Sequence, residues 1–149
     1  MLRARTFAAV TAAAASGVLL LPTQAQAAGS VHLYKIHYDS PGSDRGGDTS
    51  LNGEWAQIRN TTGAAVNLRG WTLTDAANHK YTFGNFVLGK GKIVTVRTGR
   101  GTNTSANVYQ NRGWYVWNND RDTATLKKSN GARIDTCAYN STRVDYKWC

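Results

Sequence analysis

The sequence predicts an all-β protein, folded as a β-sandwich behind a removable leader, and three observations predict it. Fifteen Gly and fifteen aromatic residues stand beside a single Glu, a composition rich in turn and strand formers and poor in strong helix formers. Apolar residues recur in short runs bounded by Gly, Asn, Asp and Ser, spaced by roughly 8 to 12 residues. Both cysteines fall in the last 13 residues of a chain that opens like an exported protein. A length of 149 residues with 18% charged side chains excludes a large multidomain enzyme and a disordered chain. The absence of Leu, Glu and Lys heptads excludes a coiled coil.

The elements follow in chain order. Arg3 and Arg5 precede an apolar run from Phe7 to Leu21, and Ala25-Gln26-Ala27 places small residues two apart before a cut, the pattern of a secretory signal peptide. A membrane anchor needs about 20 apolar residues, and this run is interrupted by Thr11, Ser16 and Gly17. Residues 1–27 are read as signal peptide and 28–149 as one domain. The mature chain then has 122 residues and 16 basic against 9 acidic side chains, a charge of +7. With no second apolar span, release from the cell is expected, and a monomer.

Nine strands are predicted: Val31 to Tyr38, Glu54 to Arg59, Trp71 to Thr74, Lys80 to Phe83, Lys92 to Val96, Trp114 to Trp117, Thr123 to Lys127, Ala132 to Ala138 and Val144 to Trp148. Two longer loops, Asp39 to Ser50 and Thr98 to Ser105, break the rhythm. An exported chain meets an oxidising compartment, so Cys137 and Cys149 are expected to form a disulfide. Closing a loop of that length stabilises by about 3 kcal/mol.

Catalytic constellations are scarce. His32 and His37 are five apart on a predicted strand, which places them on opposite faces and prevents a shared metal ion. Neither an H-E-x-x-H helix nor a G-x-S-x-G elbow occurs, and the lone Glu54 cannot form a carboxylate pair with another Glu. No catalytic residue and no cofactor is assigned. Gly99-Arg100-Gly101 lacks the rest of a phosphate-cradling fingerprint and is read as a turn. Asp39, Asp44 and Asp48, and the segment Asn118 to Asp122, offer oxygens of the kind calcium takes. Neither fits a calcium loop, turn capping is the plainer role, and Asp120 and Asp122 are kept as the calcium candidates.

The strongest functional hint is basic charge interleaved with aromatics: Lys90, Lys92, Arg97, Arg100 and Arg112 around Tyr109, Trp114, Tyr115 and Trp117. Such a stretch can hold phosphates, stack bases or attract an anionic wall polymer. The competing reading packs Trp114 with Val116, or Tyr115 with Trp117, into the core and leaves the charges solvated. Three sequons, at Asn60, Asn103 and Asn140, mark exposed turns.

The stretch Leu51-Asn52-Gly53-Glu54-Trp55-Ala56-Gln57-Ile58-Arg59-Asn60, followed by Leu68-Arg69-Gly70-Trp71-Thr72-Leu73-Thr74-Asp75, resembles the lamin-tail domain family. The likeness continues through Tyr81-Thr82-Phe83, Leu88-Gly89-Lys90-Gly91 and Trp117 to Leu126. With the leader and the closing cysteine pair, it is similar to the secreted actinobacterial branch. The resemblance implies an immunoglobulin-like β-sandwich, no catalysis, and an interaction or anchoring role toward a protein or cell-wall partner, in the extracellular space or on the wall. It carries over no ligand residues. Gly89-Lys90-Gly91 departs from the Pro-Gly often found at that turn. Trp55 and Trp71, beside Ile58 and Leu73, are expected between the sheets; Asn60 and Asp75 are expected to bond turn amides, and Gly70 to hold a backbone geometry or a close approach that a Cβ would hinder. Sequence-nonspecific, electrostatic binding of nucleic acid is the alternative function.

Overall fold

A computed structural model describes residues 29–149, so the predicted leader lies outside the described residues. The strands are β1 (Val31–His37), β2 (Trp55–Asn60), β3 (Val66–Asn67), β4 (Thr72–Thr74), β5 (Lys80–Thr82), β6 (Val87–Leu88), β7 (Ile93–Arg97), β8 (Asn107–Tyr109), β9 (Arg121–Lys127), β10 (Arg133–Asn140) and β11 (Tyr146–Trp148). One helical turn, α1 (Asp48–Leu51), sits at the end of the first long loop.

The strands form a five-stranded sheet ordered β11-β1-β2-β7-β8, a four-stranded sheet ordered β10-β9-β4-β5 and a β3-β6 ribbon. Pairing is antiparallel except between β7 and β8. Strand periodicity sends alternate side chains to opposite faces. Leu33, Ile36, Ala56, Ile58, Val94, Val96 and Val108 of the larger sheet therefore share one core with Leu73, Ala124, Leu126, Cys137 and Tyr139 of the smaller. Trp71, Phe83 and Trp117 fill it from the connections. Tyr38 stacks on Tyr139 at 3.8 Å between ring centres, and its hydroxyl donates to the Ser141 and Val144 carbonyls. The all-β architecture agrees with the immunoglobulin-like sandwich expected.

The cysteines are joined: Cys137 on β10 bonds Cys149, just past β11, with Cα atoms 5.6 Å apart. β10 and β11 are edge strands of different sheets, so the bond staples one sheet edge to the other. Asn60 and Asp75 do accept from turn amides, those of Thr62 and His79. Gly70 has φ +76°, and a Cβ there would lie 2.9 Å from Ser129 Cβ. Both constraints foreseen for that glycine hold.

Several expectations are corrected. Trp114 to Trp117 is not a strand: Trp114 is 61% exposed while the consecutive Val116 and Trp117 are both buried, which no alternation allows. Trp55 is not in the core, because it lies three residues from the inward Ile58 and an odd spacing sends it outward. His32 and His37 share a face: Leu33 pairs with Ile58 and Lys35 with Gln57, leaving Tyr34 as an extra residue in a β-bulge that shifts the phase. Four paired steps still separate them by about 13 Å, too far for one ion. Asn60 is fully buried, so the acceptor of that sequon is shielded although the turn that follows it is exposed. The loop predicted to run to Ser50 contains α1, and β3, β6 and β8 were not foreseen.

Candidate functional site

The outer face of the five-stranded sheet gathers aromatic and basic side chains. Residues paired across antiparallel strands point the same way, so the registers assign the face row by row. Tyr146 pairs with His37, His37 with Trp55 and Trp55 with Arg97. The next row runs Trp148, Lys35, Gln57, Thr95 and Asn107, and a third pairs His32 with Arg59 and Arg59 with Ile93. The bulge at Tyr34 adds a further ring beside Lys35, because both residues are half-buried while their neighbours Leu33 and Ile36 are buried. At about 4.8 Å per strand, the span from Tyr146 to Arg97 is roughly 14 Å.

Within this face, charge sits on rings. The Lys35 ammonium lies 4.2 Å from the ring centres of both Tyr146 and Trp148, and 5.8 Å from that of Trp55. Arg59 lies 5.2 Å from the Tyr34 ring centre. A cation over an aromatic face is held by the ring quadrupole, so both cations are positioned without a carboxylate. His37 stacks on Trp55 at 5.3 Å; Tyr34 and Tyr146 each present an edge to Trp148, at 74° and 77°. Trp148 and Tyr146 remain 53% and 40% exposed. His37 Nδ1 and Arg59 Nε are solvent-shielded yet have no hydrogen-bond partner. These rows contain no Asp or Glu. The face thus offers cations and rings to a ligand rich in acceptor oxygens.

The residues singled out in sequence do not form one patch. Arg97 belongs to the outer face but is occupied, donating through Nε to Asn107 and through Nη1 to the Asn52 carbonyl. Lys90 and Lys92 lie at the β6–β7 turn. Arg100 approaches Asp48 at 4.0 Å, Arg112 donates to the Lys80 carbonyl, and Trp114 lies against Gly46 and edge-on to Tyr115. Of the calcium candidates, Asp122 is buried and spends both oxygens on the backbone amides of Ala76, Asn118 and Thr123. Asp120 caps the Arg121 amide and pairs with its side chain at 3.6 Å. Among the described residues, no three His, Cys, Asp or Glu converge as metal ligands.

Sequence reasoning missed Tyr34, Lys35, Trp55, Arg59, Tyr146 and Trp148 as a group. One signal was available: Tyr-Lys-Trp at the carboxyl end alternates like a strand, with both aromatics on one side. The other half of the site needed the register of three strands from distant parts of the chain.

One acid is hidden inside. Glu54 is fully buried at the start of β2; its Oε1 accepts from Thr98 Oγ1 at 2.6 Å and from the Val116 amide at 2.8 Å. Burial pushes its pKa up to about 7, against the lowering effect of these donors. It serves the core and is remote in role from the outer face.

The family model of the Lamin Tail Domain matches residues 24–141. The match runs through β10 and stops before β11, Trp148 and Cys149. No curated protein matches the chain.

Proposed function

Because the chain belongs to the lamin tail domain family, an immunoglobulin-like, non-catalytic domain type, we propose that it is a secreted, non-enzymatic module that binds an extracellular or cell-surface partner. The observation that carries this reading is the outer face of the five-stranded sheet, where exposed Tyr146 and Trp148 surround a lysine held without a carboxylate. Large apolar side chains left in water on a stable sheet mark an interaction surface. Secretion, with cleavage after Ala27, rests on the leader pattern, and so does the actinobacterial branch, together with the closing cysteine pair. No helix among the described residues is long and apolar enough to cross a membrane. The module works as a monomer and needs no cofactor.

Expression of the whole chain tests both parts. The protein should be recovered outside the cell with Ala28 as its amino terminus, and it should sediment with cells of the producing strain. Trp148→Ala and Arg59→Glu should each abolish sedimentation. Retention inside the cell would overturn the secreted reading, and binding indifferent to both substitutions would remove this face from the function.

A further inference from the structure

We propose that the outer face of the five-stranded sheet binds single-stranded nucleic acid, bases stacking on Trp148, Tyr146 and Trp55 while Lys35 and Arg59 meet the phosphates. The inference rests on the reading of that face as the binding surface and names its partner class. Three features carry it. First, the rows formed by β11, β1, β2 and β7 hold cations and no carboxylate, so an anionic, acceptor-rich ligand is complementary. Secondly, Arg59 rests over the Tyr34 ring, 5.2 Å from its centre, and makes no ion pair among the described residues, so its charge is available to an acceptor oxygen. Thirdly, the rings are set by the sheet beside those cations, with Lys35 4.2 Å from two of them.

The rings decide between polyanions. Charge alone would suit a duplex or an anionic glycan equally. A duplex hides its base faces in its own stack, whereas a single strand can splay its bases onto aromatic side chains. An array suited to a flat sugar ribbon would hold its rings coplanar; here Trp148 meets Tyr34 and Tyr146 at 74° and 77°. A face of roughly 14 Å has room for two or three bases, as other open sheets that read single strands do.

The test uses the whole exported protein with its disulfide intact. A labelled 15-nucleotide oligo-dT is titrated by fluorescence anisotropy, with tryptophan emission followed in parallel, against a duplex of equal length and dextran sulfate. Tightest binding is expected for oligo-dT, with quenching of tryptophan, and a slope of log K against log salt of about −1.4 to −2.1 for two or three phosphate contacts. Trp148→Ala and Arg59→Glu should each weaken it by about ten-fold, while Lys128→Glu, which removes the same charge from the β9–β10 turn, should change it by less than about two-fold. Absence of binding at low salt would overturn the proposal. So would equal binding of dextran sulfate without quenching, or equal losses from Lys128→Glu and Arg59→Glu. If cell binding is lost in Trp148→Ala but oligo-dT does not bind, the face stands and the nucleic-acid assignment falls; if cell binding is indifferent to Trp148→Ala, the face itself falls.

Discussion

The two faces of the five-stranded sheet are written in the same strands and obey different rules. The inner face of β2 and its approach reads Glu54, Ala56, Ile58 and Asn60, all buried; the outer reads Trp55, Gln57 and Arg59, all half-buried. Inside, Asn60 donates to the Ala64 and Leu88 carbonyls and accepts from Thr62, while Glu54 Oε2 and Trp117 Nε1 stay without a partner. Outside, His37 Nδ1 and Arg59 Nε go unpaired. The two faces differ in burial: the inner one is closed to solvent and the outer one is half-open to it. Tryptophan appears on both, with Trp71 and Trp117 buried and Trp148 in water, so residue type alone does not say which rule applies.

Substitutions can break this contrast, beginning with the largest effect. Trp117→Ala should lower stability by about 3 to 5 kcal/mol, read as a fall in the urea midpoint. Next comes Glu54, the inner face's titratable group. Its folded pKa of about 7 exceeds the ordinary 4.5, so the folded state holds this proton more tightly than the unfolded chain. The resulting stability is complete below pH 4.5 and is lost as pH rises through 7. Unfolding by urea at pH 5 and pH 8 should therefore differ by up to about 3 kcal/mol in favour of pH 5. Glu54→Gln should flatten that share of the pH profile, and an unchanged profile would show that another group governs it.

Replacing both cysteines by Ala should cost about 3 kcal/mol or somewhat less. It also tests the outer face, because β11 carries Tyr146 and Trp148; loss of partner binding at temperatures where the core remains folded would show that the staple holds the site together. Gly70→Ala, strained by its positive φ and by Ser129, should cost about 1 to 2 kcal/mol, seen as a lower melting midpoint. Smallest of all in stability is Trp148→Ala, expected below about 1 kcal/mol because the side chain is 53% exposed. Its effect on binding should be as large as that of Arg59→Glu. A comparable loss of stability would make Trp148 a packing residue and dissolve the distinction between the faces.

The sequence carried the inner face well and the outer face poorly, for one physical reason. A long strand with alternating burial, such as the six-residue β2 or the seven-residue β9, announces itself locally. The two-residue β3 and β6 do not, and Trp114 to Trp117 imitates a strand because it is an unbroken run of aromatic and β-branched residues while its backbone follows the loop. The site depends on pairing: Lys35 is unremarkable until Trp148, 113 positions later, is placed opposite it. Clustering basic residues by sequence proximity therefore selected Lys90, Arg100 and Arg112, which the fold disperses.

Tyr34 is an addition to the sheet that its interior does not need. Without it, Val31, Leu33 and Ile36 would alternate against β2 in unbroken step, since the pairings on either side of the bulge differ by that one residue. The extra residue is therefore dispensable to the core, and what it contributes is a ring beneath Arg59 and beside Trp148 and a carbonyl that accepts from the Cys149 amide. Deleting Tyr34 should leave a protein that folds with the same interior and a barer surface.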